Sequence, residues 1–512
     1  MPGTALRSGW PGRANQKHYL QDTVTRMIKN GAQHLKSLDD GRAIYLNGER
    51  LQDPLNHPAF RNAIGTVCRL YDIQTENPDV MTVELPGGRG RIGRQWHIPA
   101  SHSELVLRRE AMTQWARSTC GFFGRSPDHV PSALCGMLVG LDRFCKDKAR
   151  ADAFRKYVEY ASENDLFVTY TIVNPQGNQS KGPGDQGQSV PPACRVVEEG
   201  ADGIVVDGAK MLGTSAVMAN EVFVANIQPL KPGEEAFALS FSLPLGTPGV
   251  RILSRKSYEQ HASSEFDNPL AHRFDENDAL ICFDRVKVPW ERVFIHKDIA
   301  MAGAQFRDTW AAPMQNHHSQ IRLMVKLQFL LGLAKRVAET NGVIDFPQVR
   351  EQLGRMAAQA SMVECFVHAM EATGESVNGY YVPNRHLMHA ATCVTQELYP
   401  QFITLIRELA GGGLIMLPSS EQDFSNPEIR GYIGRTQRSP VADSYGRVKL
   451  MRLAWDAVGS EFASRHVQYE MFYAGAQVFQ RAAMYRTYDW DRSTGLVDSI
   501  LSGYDLPLEV RP

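Results

Sequence analysis

LFVTYTIVNP, residues 166–175, is where the chain changes character. The β-branched and aromatic run from Leu166 to Val173 predicts a strand, which Asn174 and Pro175 bring to an end. Upstream the apolar spacing is helical. Between Ser103 and Cys120, for instance, Leu105, Leu107, Ala111, Met112, Trp115 and Ala116 recur near the period of a helix. Downstream come short β segments at 203–206, 221–227, 236–243, 250–253 and 279–288, punctuated by Gly, Pro and Asn. After Trp290 helical periodicity returns through 321–340, 349–373, 387–409 and 448–471. Helix, strand, helix in that order predicts an α+β chain of three units. These are a mainly helical domain at 1–160, a middle β-domain at 161–291 and a helical bundle at 292–512. The middle strands suit a small barrel or sandwich, and a β-barrel is the working expectation.

Composition narrows the function classes. Lys and Arg number 55 against 56 Asp and Glu in 512 residues, so a net charge of -1 supplies no field to draw in nucleic acid or an anionic membrane. Eight cysteines stand singly, without CxxC pairs, and read as reduced thiols. Residues 1–15 lack the apolar core of a signal peptide, and no run reaches the roughly 18 apolar residues that span a bilayer. A cytoplasmic enzyme acting on a small molecule is the expectation.

GRGRIG at 88–93 matches the dinucleotide fingerprint letter for letter, yet Pro99 follows too soon for the helix that would hold a pyrophosphate. A hairpin between MTVEL (81–85) and RIGRQWH (91–97) is the better reading. His317, His318, His386 and His389 have no carboxylate at ligand spacing and read as surface or packing residues, so no metal site is expected. Nucleophile-elbow and phosphate-loop motifs are absent from the sequence.

Three stretches carry candidate chemistry. In GRSPDH (124–129) Ser126 is placed to cap a helix starting at Pro127, with Arg125 and His129 on either side of the cap. YTIVNP (170–175) closes a strand and opens a Gly- and Gln-rich loop, 176–188, at a domain seam. DGAKMLGTS (207–215) offers hydroxyl and backbone donors to a planar heterocycle, although a plain turn explains the same letters.

Taken together, the sequence resembles the 4-hydroxyphenylacetate 3-hydroxylase family. The resemblance rests on YL at 19–20 with DGR at 40–42, HPAFR at 57–61, 124–128, IVNP at 172–175, GAK at 208–210, RFDEND at 273–278, VPWE at 288–291, LPSS at 417–420 and WDAVGSEF at 455–462. It implies an acyl-CoA dehydrogenase-like fold and a homotetramer or homodimer. It also implies FAD, received as FADH2 from a separate NAD(P)H:flavin reductase, and O2, captured as a flavin C4a-hydroperoxide that hydroxylates a small aromatic substrate beside its phenolic oxygen. Carried over, Arg125 supports the oxygen chemistry or the phenolate, Thr214 meets the flavin N5 edge, and Ser215 is a further cofactor-binding residue. Asn174, Pro175 and Gln176 line the isoalloxazine, Thr171 and Ile172 belong to the same cofactor-binding set, and Gly459, Ser460 and Glu461 hold the rest of the dinucleotide.

One departure bears on mechanism. The hydroxyphenylacetate enzymes carry Tyr where this chain has His129, and His where it has Tyr170. His129 is therefore expected to be the base that deprotonates a phenol, its pKa held down by a helix N-terminus, while Tyr170 positions oxygen. His296 is a further pocket candidate, and the segments 176–188 and 258–270 are expected to form substrate loops. Two other enzymes of the same fold compete with this reading: an acyl-CoA dehydrogenase, and an iron-sulfur dehydratase for which Cys120 and Cys135 are set too far apart.

Overall fold

The computed structural model describes residues 28–175, 177, 178, 180–188, 191–505 and 509. Two open sheets form the middle of the molecule. Strand β1 (Ala43–Leu46) pairs with β2 (Glu49–Arg50), and β3 (Thr82–Glu84) with β4 (Arg91–Gly93) forms a separate hairpin. Next come β5 (Val168–Thr171), β6 (Arg195–Gly200), β7 (Gly203–Lys210), β8 (Glu221–Val224), β9 (Leu239–Pro244), β10 (Val250–Ser254), β11 (Ala279–Pro289) and β12 (Val293–His296). One sheet runs β2-β1-β10-β11-β7-β6 and the other β12-β9-β8-β5.

The inward side chains of the two sheets share one apolar core, with Ile44, Val206, Ile252 and Ile281 from the first meeting Val222, Val224, Phe241 and Val293 from the second. The middle region is thus a pair of facing sheets, and among the described residues the expected closed barrel is not found: the larger sheet, which β1 from the N-terminal region lengthens by pairing in parallel with β10, ends at β2 and β6, and the smaller at β12 and β5.

The principal helices are α1 (Arg61–Glu76), α2 (His102–Ser118), α3 (His129–Val139), α4 (Lys148–Glu163), α5 (Ile299–Arg307) and α6 (Ala311–Thr340). They continue with α7 (Pro347–Ala372), α8 (Arg385–Ala410), α9 (Ser444–Val458), α10 (Glu461–Phe472), α11 (Gln477–Thr487) and α12 (Trp490–Leu501). The helical segment expected at 448–471 is broken at Gly459, where a Cβ would lie 2.5 Å from the Trp455 ring, and Ser460 caps the new helix by accepting from the Ala463 amide at 3.1 Å. Helix α6 is enclosed over most of its length and carries Gln315, His317, His318, Gln320, Arg322 and Lys326 into the interior. A helix buried all round with this many polar groups must supply each with a partner.

The hairpin expected around GRGRIG is present. Strands β3 and β4 meet through a turn at Pro86–Gly88, with Gly87, Gly88 and Gly90 at φ of 75°, 69° and 96°, the left-handed region that glycine enters freely. Its second arm is shorter than expected, because Arg94–Trp96 form a single 3-10 turn. Among the described residues, no helix is long and apolar enough to cross a membrane.

Candidate active site

The turn at 124–128 is fixed by packing and side-chain hydrogen bonds, and α3 starts later than the Ser-Pro signal suggests. Its cap is Asp128, its first residue His129, and the Ser126 hydroxyl serves no backbone amide of the helix. Instead Ser126 Oγ donates to Asp128 Oδ1 at 2.5 Å. A Cβ on Gly124 would lie 2.6 Å from the Tyr469 ring and hydroxyl, so only glycine lets α10 approach this turn. Gly136 lets the Trp310 carbonyl sit against α3 in the same way, a Cβ there falling 2.2 Å from that oxygen, and so brings the start of α6 against the site.

Arg125 lies at the centre. Its backbone N–H donates to Glu276 Oε2 at 2.7 Å, and its guanidinium stands over the rings of Tyr170, at 5.0 Å, and Tyr469, at 5.3 Å. Burial opposes its charge, but Tyr170, Tyr469 and Glu276 outweigh that and raise its pKa. The guanidinium also donates to His129 Nε2. His129 is stacked on Tyr170, with ring centroids 5.7 Å apart and 18° between planes. Its pKa falls well below the usual histidine value, burial being the first cause and the Arg125 charge the second. The direction expected from the sequence holds, but the cause is dehydration and a neighbouring cation more than a helix end.

The middle domain supplies the facing wall. Thr171 Oγ1 donates to the Met211 carbonyl at 2.8 Å and Thr169 Oγ1 to that of Thr214 at 2.5 Å, so β5 holds the 211–215 loop in place. Within it Leu212 and Ser215 take φ of 63° and 64°, a left-handed geometry that side chains resist and that often marks a working loop. Ser215 Oγ donates to the Arg125 carbonyl at 3.3 Å, and Thr214 Oγ1 donates to Asp278 Oδ1 at 2.7 Å. Asp278 also binds Arg465 and Arg255, and Arg465 reaches Glu276 as well. Burial opposes the Asp278 charge, but these two cations hold its carboxyl far below the usual range.

Asn174 lies a little farther along, accepting from Lys210 Nζ at 2.7 Å and donating to Gln228 at 2.5 Å. Burial pulls the Lys210 pKa down to about 8. Ile172 and Pro175 are half-buried beside it, whereas Gln176 lies outside the described residues. The structure therefore brings Arg125, His129, Tyr170, Thr171, Thr214 and Ser215 into one cluster, with Asn174 at its edge.

Gly459, Ser460 and Glu461 sit elsewhere, at the N-terminus of α10. There exposed Glu461 pairs with Lys256 at 2.7 Å, and one turn onward Arg465 joins the Asp278 network. His296 is also apart. It stands edge-on to Trp290, with centroids 5.0 Å apart, in a cavity of about 480 Å³ lined by Cys145, Arg150 and Met301 among others. The 258–270 segment packs on α1, where Glu259 accepts from the Asn62 and Ala63 amides, and on Phe424 and Tyr445 through Phe266.

Sequence reasoning missed the partners contributed by α6 and α10. Gln315 Nε2 approaches His129 Nε2 at 2.8 Å, His318 Nδ1 meets His129 Nδ1 at 3.2 Å, and His318 Nε2 binds Asp128 Oδ1 at 2.9 Å. His317 binds Glu371 at 3.0 Å. His317 and His318 are thus buried and paired, and the expectation that they had no carboxylate failed because the carboxylates come from distant segments. Among the described residues no group of His, Cys, Asp or Glu is arranged to hold a metal ion.

Residues 30–295 match the family model described as 4-hydroxyphenylacetate 3-hydroxylase N terminal, and residues 302–502 match the corresponding C-terminal model. The chain is 32% identical over 480 residues to the 4-hydroxyphenylacetate 3-monooxygenase oxygenase component of Geobacillus sp., covering 93% of this chain and 97% of that one. It is 36% identical over 494 residues to the 4-nitrophenol 2-monooxygenase oxygenase component of Rhodococcus sp., covering 94% and 93%. It is also similar to the solved oxygenase component of 4-hydroxyphenylacetate 3-monooxygenase complexed with FAD and 4-hydroxyphenylacetate, with a TM-score of 0.87, 30% identity and coverage of 93% and 98%.

Proposed function

The chain belongs to the 4-hydroxyphenylacetate 3-hydroxylase family, of acyl-CoA dehydrogenase-like fold, and from that premise we propose how its own residues serve the reaction. It is the oxygenase component of a two-component flavin-dependent aromatic monooxygenase, using FADH2 and O2. A separate flavin reductase supplies the reduced cofactor. The observation that carries the catalytic reading is the cluster of Arg125, His129 and Tyr170 facing the strained 211–215 loop.

The residues present fit a flavin. The Tyr469 hydroxyl is buried without a hydrogen-bond partner among the described residues, and Leu212 of the 211–215 loop is 52% exposed. Hydroxyls of Thr214 and Ser215, an apolar face and fixed cations are what a planar heterocycle with polar edges needs. Reduced FAD, when bound, supplies the activation of O2 from which one oxygen atom enters the aromatic ring. Thr214, Ser215, Thr171, Ile172, Asn174 and Pro175 would form its middle-domain wall, and Gly459, Ser460 and Glu461 would meet the nucleotide end.

Arg125 stabilises the phenolate that the substrate must become, an electrostatic task suited to a charge held between aromatic faces before the substrate arrives. His129 takes the phenol proton at Nε2, and Tyr170 orients the phenolic oxygen. The substrate is a small phenol, and the loop after Asn174 contributes to its selection. The dehydratase alternative asks Cys120 and Cys135 to act together, but burial pushes the Cys135 thiol up to about 11 and it donates to the Gln95 and Trp96 carbonyls, while Cys120 lies beside a different core.

Exposed apolar side chains on α11 and α12, including Phe479 at 70% and Leu496 at 70%, support a homotetramer or homodimer. Eight free thiols support a cytoplasmic location. The test is to mix the protein with FADH2 and 18O2 in the presence of a panel of phenols. Hydroxylated product carrying one labelled oxygen is expected. Quantitative hydrogen peroxide with no labelled product from any phenol overturns the reading.

A further inference from the structure

Arg125 is a donor only, so the atom it binds, His129 Nε2, must present a lone pair. A neutral His129 then carries its proton on Nδ1, which faces His318 Nδ1 at 3.2 Å. For that contact to be a hydrogen bond, His318 Nδ1 must be the acceptor and His318 must carry its own proton on Nε2, 2.9 Å from Asp128 Oδ1. Every hydrogen in the chain is thereby assigned, from Arg125 through two imidazoles to a buried carboxylate. Asp128 is held as the anion: burial pushes its pKa up, but the His318 interaction and the Ser126 hydrogen bond outweigh this and bring it below the usual range.

We propose that His318 and Asp128 are positioning residues for the hydroxylation, fixing the tautomer of His129 and receiving the positive charge created when His129 takes the substrate proton. This rests on the proposed role of His129. The phenol displaces the Arg125 and Gln315 N–H donors from the His129 Nε2 lone pair; its O–H bond breaks and the proton joins Nε2, the Arg125 guanidinium turning to the phenolate, while the His129 Nδ1 proton moves to His318 Nδ1. His129 ends neutral with its proton on Nε2, and His318 becomes an imidazolium against the Asp128 carboxylate. One proton enters and one is passed on, so charge and atoms balance.

Electrostatics favours the second site. His129 lies against the Arg125 guanidinium, which opposes a charge there, whereas His318 contacts the anion directly. The charged and titratable groups facing the pair are Arg125 from the 124–128 turn, Tyr170 from β5, Arg322 from α6 and Asp128 at the head of α3, with Arg108 from α2 beyond them acting on Asp128. Of these, Asp128 is the one held as an anion, which makes His318 the place for the proton to rest.

Two measurements test this. Histidine-selective 15N NMR of the full-length wild-type enzyme at neutral pH, assigned with His129→Gln and His318→Gln, should find the proton of His129 on Nδ1 and that of His318 on Nε2. A proton on His129 Nε2 overturns the proposal. The second uses Asp128→Asn, which keeps an acceptor for His318 but removes the charge. Hydroxylation of phenol is expected to fall by about tenfold or more, while that of 4-nitrophenol, assayed where it is already ionised, changes by less than about threefold. Equal losses, or none, overturn it. If the wild type hydroxylates neither phenol, the reading of function is at fault, and the NMR result alone decides the hydrogen-bond chain.

Discussion

The His129 imidazole is stacked on the Tyr170 phenol ring, 5.7 Å between centroids and 18° between planes, so α3 and β5 bring the two polar side chains into contact. The resemblance implies the same two residue types in the opposite order, and with the two rings in contact the pair is expected to act as a unit. His129→Tyr and Tyr170→His should each lower product formation by about tenfold or more, and the double exchange should recover much of the loss, since neighbours in contact are not additive. Product yield per FADH2 consumed measures this, and a double variant as poor as the product of the two singles would refute it.

Arg125→Lys keeps the charge but loses the planar fork that lies over two rings and reaches His129. The expected result is a loss of about 100-fold in hydroxylation rate, the scale for removing one aligned electrostatic donor. FADH2 binding should change by no more than a few fold, and the missing product should appear as hydrogen peroxide.

Thr214 gives its proton to Asp278 at 2.7 Å, so only its lone pairs are left to face a ligand. Reduced isoalloxazine carries an N–H at N5 and the oxidised ring does not. Thr214→Val should therefore weaken FADH2 by about fivefold, equivalent to about 1 kcal/mol, and oxidised FAD much less. Anaerobic titrations of both redox forms make the comparison; equal losses would remove Thr214 from the N5 edge.

His466 is wedged against Phe122 and Phe462 and accepts from Lys326, and its pKa is lowered well below 6.5, first by burial and then by the Lys326 charge. Below pH 6.5 the unfolded chain binds a proton at this residue that the folded chain refuses, so its contribution to stability is present above that value and drains as pH falls towards the folded pKa. The stability difference between wild type and His466→Gln should shrink by about 1.4 kcal/mol per pH unit below 6.5. Denaturant titrations of both at several pH values measure it, and a difference independent of pH would count against a neutral His466.

Glu470 accepts from Arg322 at 2.7 Å and from Lys326 at 3.0 Å in the interior of the helical bundle, and these cations bring its pKa down to about 2 against the opposing effect of burial. Glu470→Gln leaves both cations without their anion, and a loss of about 3–5 kcal/mol in unfolding free energy is expected.

Much of this architecture can be read in the residues themselves. The glycines of 87–90 announce a hairpin, and the change at 166 separates helix from sheet, because both are local signals. The Arg125 to His129 turn and the 207–215 loop are likewise short continuous stretches. What escaped depends on contacts between distant segments. His318 finds its carboxylate 190 residues away, β1 joins β10 across some two hundred residues, and Ser126 gives its hydroxyl to Asp128 instead of capping α3. No periodicity in one segment records what another will place against it.

Helix α6 carries Gln315, His318, Arg322 and Lys326 along one stripe, at steps of three or four residues. The first two meet His129 and the last two hold Glu470, so a single rotation of this rod governs both the proposed His129 site and the seat of the bundle. Inserting one residue near its middle would turn one half by about 100° against the other and separate the two functions. New substrate preferences are therefore more accessible through the loops of the opposite wall, which can vary in length without moving this axis.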